Sequence, residues 1–243
     1  MPFVSLLPLL LAAASLDTGT VKVAVSPVFR FAGDLGYVST AGNSSVQTLN
    51  FGDRISAKAG DLTFSQQFNV VYGRSNGLAV TSLYRAGLRT DLALRPTLGL
   101  YAAINYERNT FAGLRSRIGN TLGLTALLLK SPRNRFSIEG GISLTSQRGI
   151  PPKGRDLDFL GGRAASSFSH QLSSKASISQ FVELLPNFRQ TADLRINTES
   201  ILTAPVSKHV SVRFSYIVRY DGLPEPGFLG TDRLFTSGLQ VSF

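Results

Sequence analysis

The chain closes on Val210, Val212, Phe214, Tyr216, Val218 and Tyr220, then on Phe235, Leu239, Val241 and Phe243. Arg213, Ser215, Arg219, Thr236, Gln240 and Ser242 hold positions between them. Successive side chains of a β-strand point to opposite faces, so this period of two gives each segment one apolar and one polar face. The same alternation is clear upstream. Leu62, Phe64, Phe68, Val70 and Tyr72 oppose Thr63, Ser65, Gln67 and Asn69, and Val80, Tyr84, Ala86 and Leu88 oppose Thr81, Arg85 and Arg89. Leu98, Leu100, Ala102, Ile104 and Tyr106 oppose Gly99, Tyr101, Asn105 and Glu107, and Phe136, Ile138, Ile142 and Leu144 oppose Arg135, Ser137, Glu139, Ser143 and Thr145. Near 29–39, Phe29, Phe31, Leu35 and Tyr37 oppose Arg30 and Asp34, and looser alternation near 45–57, 116–129, 157–169, 176–186 and 193–203 brings the strand number to about twelve, an even count. Segments of about 10 to 14 residues are long enough to cross a bilayer at the usual tilt. The pattern predicts an all-β, antiparallel up-and-down transmembrane barrel over residues 29–243, with lipid outside and a polar lumen.

The connections alternate in length. Those at 58–61, 131–134, 171–175 and 204–208 read as tight turns, and those at 40–44, 73–77, 109–115, 148–156 and 221–231 as longer loops on the opposite side, which is the periplasmic and outer arrangement of such barrels. The loops are expected to be too short for a plug. Tyr37, Tyr72, Tyr106 and Tyr220 fall at the outer ends of outward faces, where an amphipathic ring sits at headgroup level, and so form a candidate aromatic girdle. Phe243, ending the last strand, is a candidate signal for the barrel-insertion machinery.

Composition narrows the classes. Hydrophobic residues make up 43% of the chain, yet beyond residue 16 no apolar run approaches the roughly 20 residues that a membrane helix needs. Residues 1–14, with an apolar run from Val4 to Leu11 followed by Ala12, Ala13 and Ala14, read as a signal peptide lacking the usual early Lys or Arg. Residues 15–28 read as a lead-in segment. The chain has no Cys and only His170 and His209, so neither a metal site nor a cofactor is expected. The formal charge of +10 is the excess of 25 basic over 15 acidic residues, and the basic ones are spread one or two per strand. Without a clustered basic patch or a recognition motif, nucleic acid is not an expected partner.

The inward phase collects charge. Arg30, Arg54, Arg85, Arg89, Arg213 and Arg219 are the candidate lining of an anion path, with Arg117, Arg163 and Arg195 also inward, facing Asp34, Glu107, Glu139, Glu183, Asp193 and Glu199. Two readings follow. Rings of Arg set anion preference in pores, whereas Arg and carboxylates paired across strands fill a narrow barrel without conduction; the second is preferred because such a barrel has limited room. Arg85 and Arg89 are the best candidates for an unpaired patch, since Glu139, Glu183, Asp193 and Glu199 belong to later strands. His209 and Ser211, two apart, would share a strand face and could form a nucleophile and base of a barrel lipase-like enzyme. No motif accompanies them, and no catalytic residue is assigned. The Gly140-Gly141 and Gly161-Gly162 pairs lack the strand-to-helix context of a phosphate loop.

Several stretches, TAGNSSVQTLNFG (40–52), YGRSNG (72–77), YERNTFAGLRSR (106–117) and YIVRYDGLPEPGFLGTDRLFTSGLQVSF (216–243), resemble the YdiY-like family of salt-induced outer membrane proteins. Two departures are visible: Glu225 interrupts what the family usually writes as a Pro-Pro pair, and Val241 stands where an aromatic is common. The resemblance implies an outer-membrane barrel of a Gram-negative-type bacterium and a link to salt or osmotic stress, and it brings no catalytic residues. The expected partners are the lipid bilayer, lipopolysaccharide and, during biogenesis, the barrel-insertion machinery. The outward faces show no polar stripe that would need a protein partner, so a monomer is expected.

Overall fold

The computed structural model describes residues 28–40, 46–75, 78–173 and 176–242. The signal-peptide reading of residues 1–14, most of the lead-in segment and Phe243 therefore lie outside the described residues. Twelve strands follow one another: β1 (Val28–Thr40), β2 (Val46–Ala59), β3 (Leu62–Ser75), β4 (Leu78–Arg95), β5 (Leu98–Asn109), β6 (Leu114–Lys130), β7 (Asn134–Gly149), β8 (Asp156–Ser173), β9 (Ala176–Pro186), β10 (Leu194–Pro205), β11 (Val210–Asp221) and β12 (Thr231–Ser242). Each pairs antiparallel with its sequence neighbours. The ring closes between β1 and β12 over Ala32–Ser242 to Leu35–Leu239. Closure joins the first and last strands through these four register pairs, so the sheet is a ring, as a bilayer core requires.

The alternation read from the sequence sorts onto the two faces of this wall. Leu88, Leu122, Ile142, Phe64, Phe235 and Leu239 point outward and are exposed, while Thr121, Ser143, Thr145, Gln147 and Ser215 point inward and are buried. That is the inverse of a water-soluble domain, where apolar side chains go inside. Such a contiguous apolar exterior is stable only against lipid. The outward face does carry polar side chains: Ser166, Gln180, Thr198 and Ser200 occupy outward register positions on β8, β9 and β10. Ser200 Oγ donates to Gln180 Oε1, so two of these groups satisfy each other.

Register irregularities sit near strand ends, at Gly73/Arg74, Ala93/Arg95, Glu107/Asn109, Leu114/Ser116, Leu127/Leu129 and Gln171/Ser173, as expected of bulges at barrel rims. One end of the barrel carries short turns. At Gly60, φ is +60°, and Ser131 Oγ accepts the backbone N–H of Asn134 at 3.0 Å.

The other end carries the long connections, including a segment between β9 and β10 that the turn chemistry did not single out. The segment between β11 and β12 folds onto its neighbours. Glu225 is only 3% exposed; one carboxylate oxygen accepts from Gln147 Nε2 at 2.7 Å and the other from the backbone N–H of Arg155 at 2.8 Å. Arg155 in turn donates to the carbonyls of Leu223 and Pro224. Gly222 N–H donates to Leu194 O at 2.9 Å. A Cβ at Gly113, where φ is +71°, would lie 2.5 Å from the Phe228 ring, so only glycine lets the loops seat this closely. Length alone had argued against a plug, but nine residues folded inward and held by a buried carboxylate are enough to cover part of a narrow mouth.

Candidate functional site: the charged lumen

Because inward residues recur at every second position, paired strands bring their charges to common levels. Toward the loop end, Arg85 on β4 stands in register with Glu107 on β5 and bonds it at 3.0 Å. Glu107 is also approached by Arg117 at 3.8 Å and Arg219 at 3.6 Å. Arg117 on β6 reaches Asp221 on β11 at 3.2 Å; those strands lie on nearly opposite walls, so this ion pair spans the lumen. Its Nε and Nη2 donate to Gln147 Oε1 at 2.8 and 2.6 Å. Since Gln147 donates to Glu225, one continuous polar chain links the folded-in loop to the cross-lumen pair.

A second cluster is built around Tyr101, which is 1% exposed. Arg89 lies 4.1 Å from the ring centroid, within cation–π range. Asp91 holds it at 2.7 Å and Glu139 at 2.8 Å. Arg163 bonds Glu139, Glu183 at 2.7 Å and the Tyr101 hydroxyl at 2.8 Å. The ring can lie against β6 because its register partner there is Gly123, whose added Cβ would sit 2.8 Å from Tyr101 carbons. Sequence reasoning placed Tyr101 inward without a role; an inward aromatic facing a glycine on the next strand was the available signal, but it required the register. A third cluster joins Arg213 to Asp34 at 2.6 Å and Glu199 at 3.1 Å, near the β1–β12 closure.

Of the six arginines singled out from the sequence, Arg85, Arg89, Arg213 and Arg219 line the lumen and lie within ion-pair distance of carboxylates. The expectation that Arg85 and Arg89 form an unpaired positive patch is therefore corrected. Glu107 is the direct register partner of Arg85, Asp91 shares the inward face of Arg89 two residues on, and Glu139 reaches Arg89 across a narrow interior. Arg54 lines the lumen with no ion pair among the described residues. Arg30 is exposed near the turn end and does not line it. The lumen retains a cavity of about 750 Å³. It runs from Pro224 and Leu229 at the loop end to Ser65, Ser137 and Ser179, beside an amide wall in which Asn69 donates to Asn50 at 3.1 Å.

The tyrosines fall as follows. Tyr106 and Tyr220 are outward and exposed, and Tyr72 is outward and half-buried. Tyr37 shares a register row with Leu49 and Tyr72, while its side chain lies outside the described residues. The His209–Ser211 reading is corrected: β11 begins at Val210, so His209 sits in the preceding turn, where its backbone N–H donates to Ser207 Oγ, and the two residues do not share a strand face.

A closed barrel with an apolar exterior and a charged interior is an outer-membrane β-barrel of porin or channel-like fold. Its fold is similar to that of the NanC porin, at a TM-score of 0.50 and 10% identity over 87% of this chain and 97% of that one. It is also similar to an outer membrane channel from Pseudomonas putida F1, at 0.51 and 9% over 94% and 99%. No curated protein matches the sequence. Residues 33–243 match the family described as protein of unknown function, DUF481, and the chain belongs to that family of YdiY-like outer membrane proteins.

Proposed function

We propose that this protein is a structural component of the outer membrane whose lumen is held shut by its own ion pairs, serving the envelope under salt or osmotic stress. The observation that carries this reading is the Arg117–Asp221 pair across the lumen, tied through Gln147 to the buried Glu225 of the folded-in loop. Arg85, Arg89, Arg117, Arg163 and Arg213 each hold a carboxylate within 3.2 Å, so most of the inward positive charge is neutralised, in contrast to an arginine-lined pore. The exterior contacts lipid and lipopolysaccharide as a monomer, and Tyr72, Tyr106 and Tyr220 anchor it at the interface.

A small-solute channel with anion preference is the second reading, favoured by the 750 Å³ cavity and by Arg54 within it. A barrel lipase-like enzyme is the remote third reading; His209 lies in the turn before β11 and Ser211 within that strand. Planar-bilayer recording with the purified barrel separates the first two. The structural reading expects a silent bilayer from correctly folded, heat-modifiable protein. Sustained anion-selective steps that weaken in Arg54→Glu, with Arg85→Glu and Arg89→Glu as further variants, would replace it with the channel.

A further inference from the structure

We propose that the loop-end half of the lumen is a binding site for a small, singly charged organic acid, whose carboxylate sits on Arg195 and Arg219. These residues are inward, diagonal neighbours: the register pairs Arg195 with Asp221 and Asn197 with Arg219. Both line the cavity, and Arg195 is 7% exposed. The Nε–H of each is buried with no acceptor. Their nearest carboxylates stand at 3.9 Å (Asp193) and 3.6 Å (Glu107), beyond hydrogen-bond length. Those carboxylates are already engaged, Asp193 by Asn187 Nδ2 at 2.8 Å and Glu107 by Arg85 at 3.0 Å. Arg85, Arg89, Arg117, Arg163 and Arg213 differ in that each holds a carboxylate within 3.2 Å.

Two buried cationic donors without acceptors are unfavourable until an anion supplies oxygens, and the planar fork of a guanidinium matches a carboxylate. Charge sets the class of ligand. Glu107, Asp221 and Asp232 line the same space, so a doubly charged phosphate meets repulsion that a monocarboxylate largely avoids. One step toward the turn end, the inward, paired Ile217 and Leu234 also line the cavity and offer an apolar surface to a short hydrocarbon tail. Phe159 lies 5.5 Å from the Arg195 guanidinium and backs it.

The site does not depend on whether the barrel conducts, so it is tested by binding. Calorimetric titration of the detergent-solubilised, heat-modifiable barrel with butyrate is expected to show one saturable site, weakened at least about tenfold in Arg195→Gln and in Arg219→Gln and unchanged in Arg30→Gln, with butanol silent. If either variant fails to fold, butyrate protection of the wild-type arginines from phenylglyoxal, located by peptide mapping to Arg195 and Arg219, carries the test. No saturation, equal affinity in folded variants, chloride competing as strongly as butyrate, inorganic phosphate binding more tightly, or no protection at the two residues would overturn the assignment.

Discussion

The two ends of this barrel are built on different principles. At the turn end, reversals are closed by contacts a few residues apart, such as Ser131 with Asn134 and the αL glycine at Gly60. At the loop end, order comes from residues far apart in sequence: Gln147 and Arg155 with Glu225, Arg117 with Asp221, Gly113 beneath Phe228. The turn end exists so that strands can reverse. The loop end covers part of the mouth, and its hydrogen bonds run on into the charges inside.

That difference can be attacked most strongly at Glu225. Glu225→Ala leaves Gln147 and Arg155 donors without their buried carboxylate, a loss of about 3 kcal/mol. Amide exchange at Gly222 and Arg155 should then rise about a hundredfold, with strand amides unchanged; unchanged exchange at Gly222 would mean that the loop is not clasped by this residue. Gly113→Val should cost about 2 kcal/mol, combining a strained positive φ with the clash against Phe228. It should lower the temperature at which the folded gel band is lost.

Next in size is the cross-lumen link. A double-mutant cycle of Arg117→Met and Asp221→Asn should return a coupling of about 1 kcal/mol, because the pair is partly solvated. A coupling near zero would remove the pair from the account of closure. Of similar size, but confined to the other end, is the turn-end effect. Gly60→Ala meets open space and should cost about 1 kcal/mol from the backbone alone, and it should leave exchange at Gly222 untouched. A response at Gly222 would show that the ends are not independent.

Much of the wall was legible because alternation is a local property. Leu62 to Tyr72 can face lipid on one side and polar groups on the other only as a strand, and repetition of that pattern specifies the barrel. The glycine, proline and serine turns likewise announce themselves. What alternation cannot supply is which inward residue stands beside which. Arg85 looked unpaired because its partner Glu107 is set by register. Arg89 looked remote from Glu139 because strand order says nothing of the short chord across a narrow interior. The segment around Glu225 looked like an ordinary loop, and only the packing of three other segments against it buries that carboxylate.

The sequence by itself therefore determined the strands, their inward and outward faces, the family and the membrane setting, since each follows from neighbours along the chain. The tertiary structure alone decided the pairing of the lumen charges, the seating of Tyr101 on Gly123, the folded-in loop and the unsatisfied pair Arg195 and Arg219. Those depend on register and on distances through the lumen, which are properties of the closed ring.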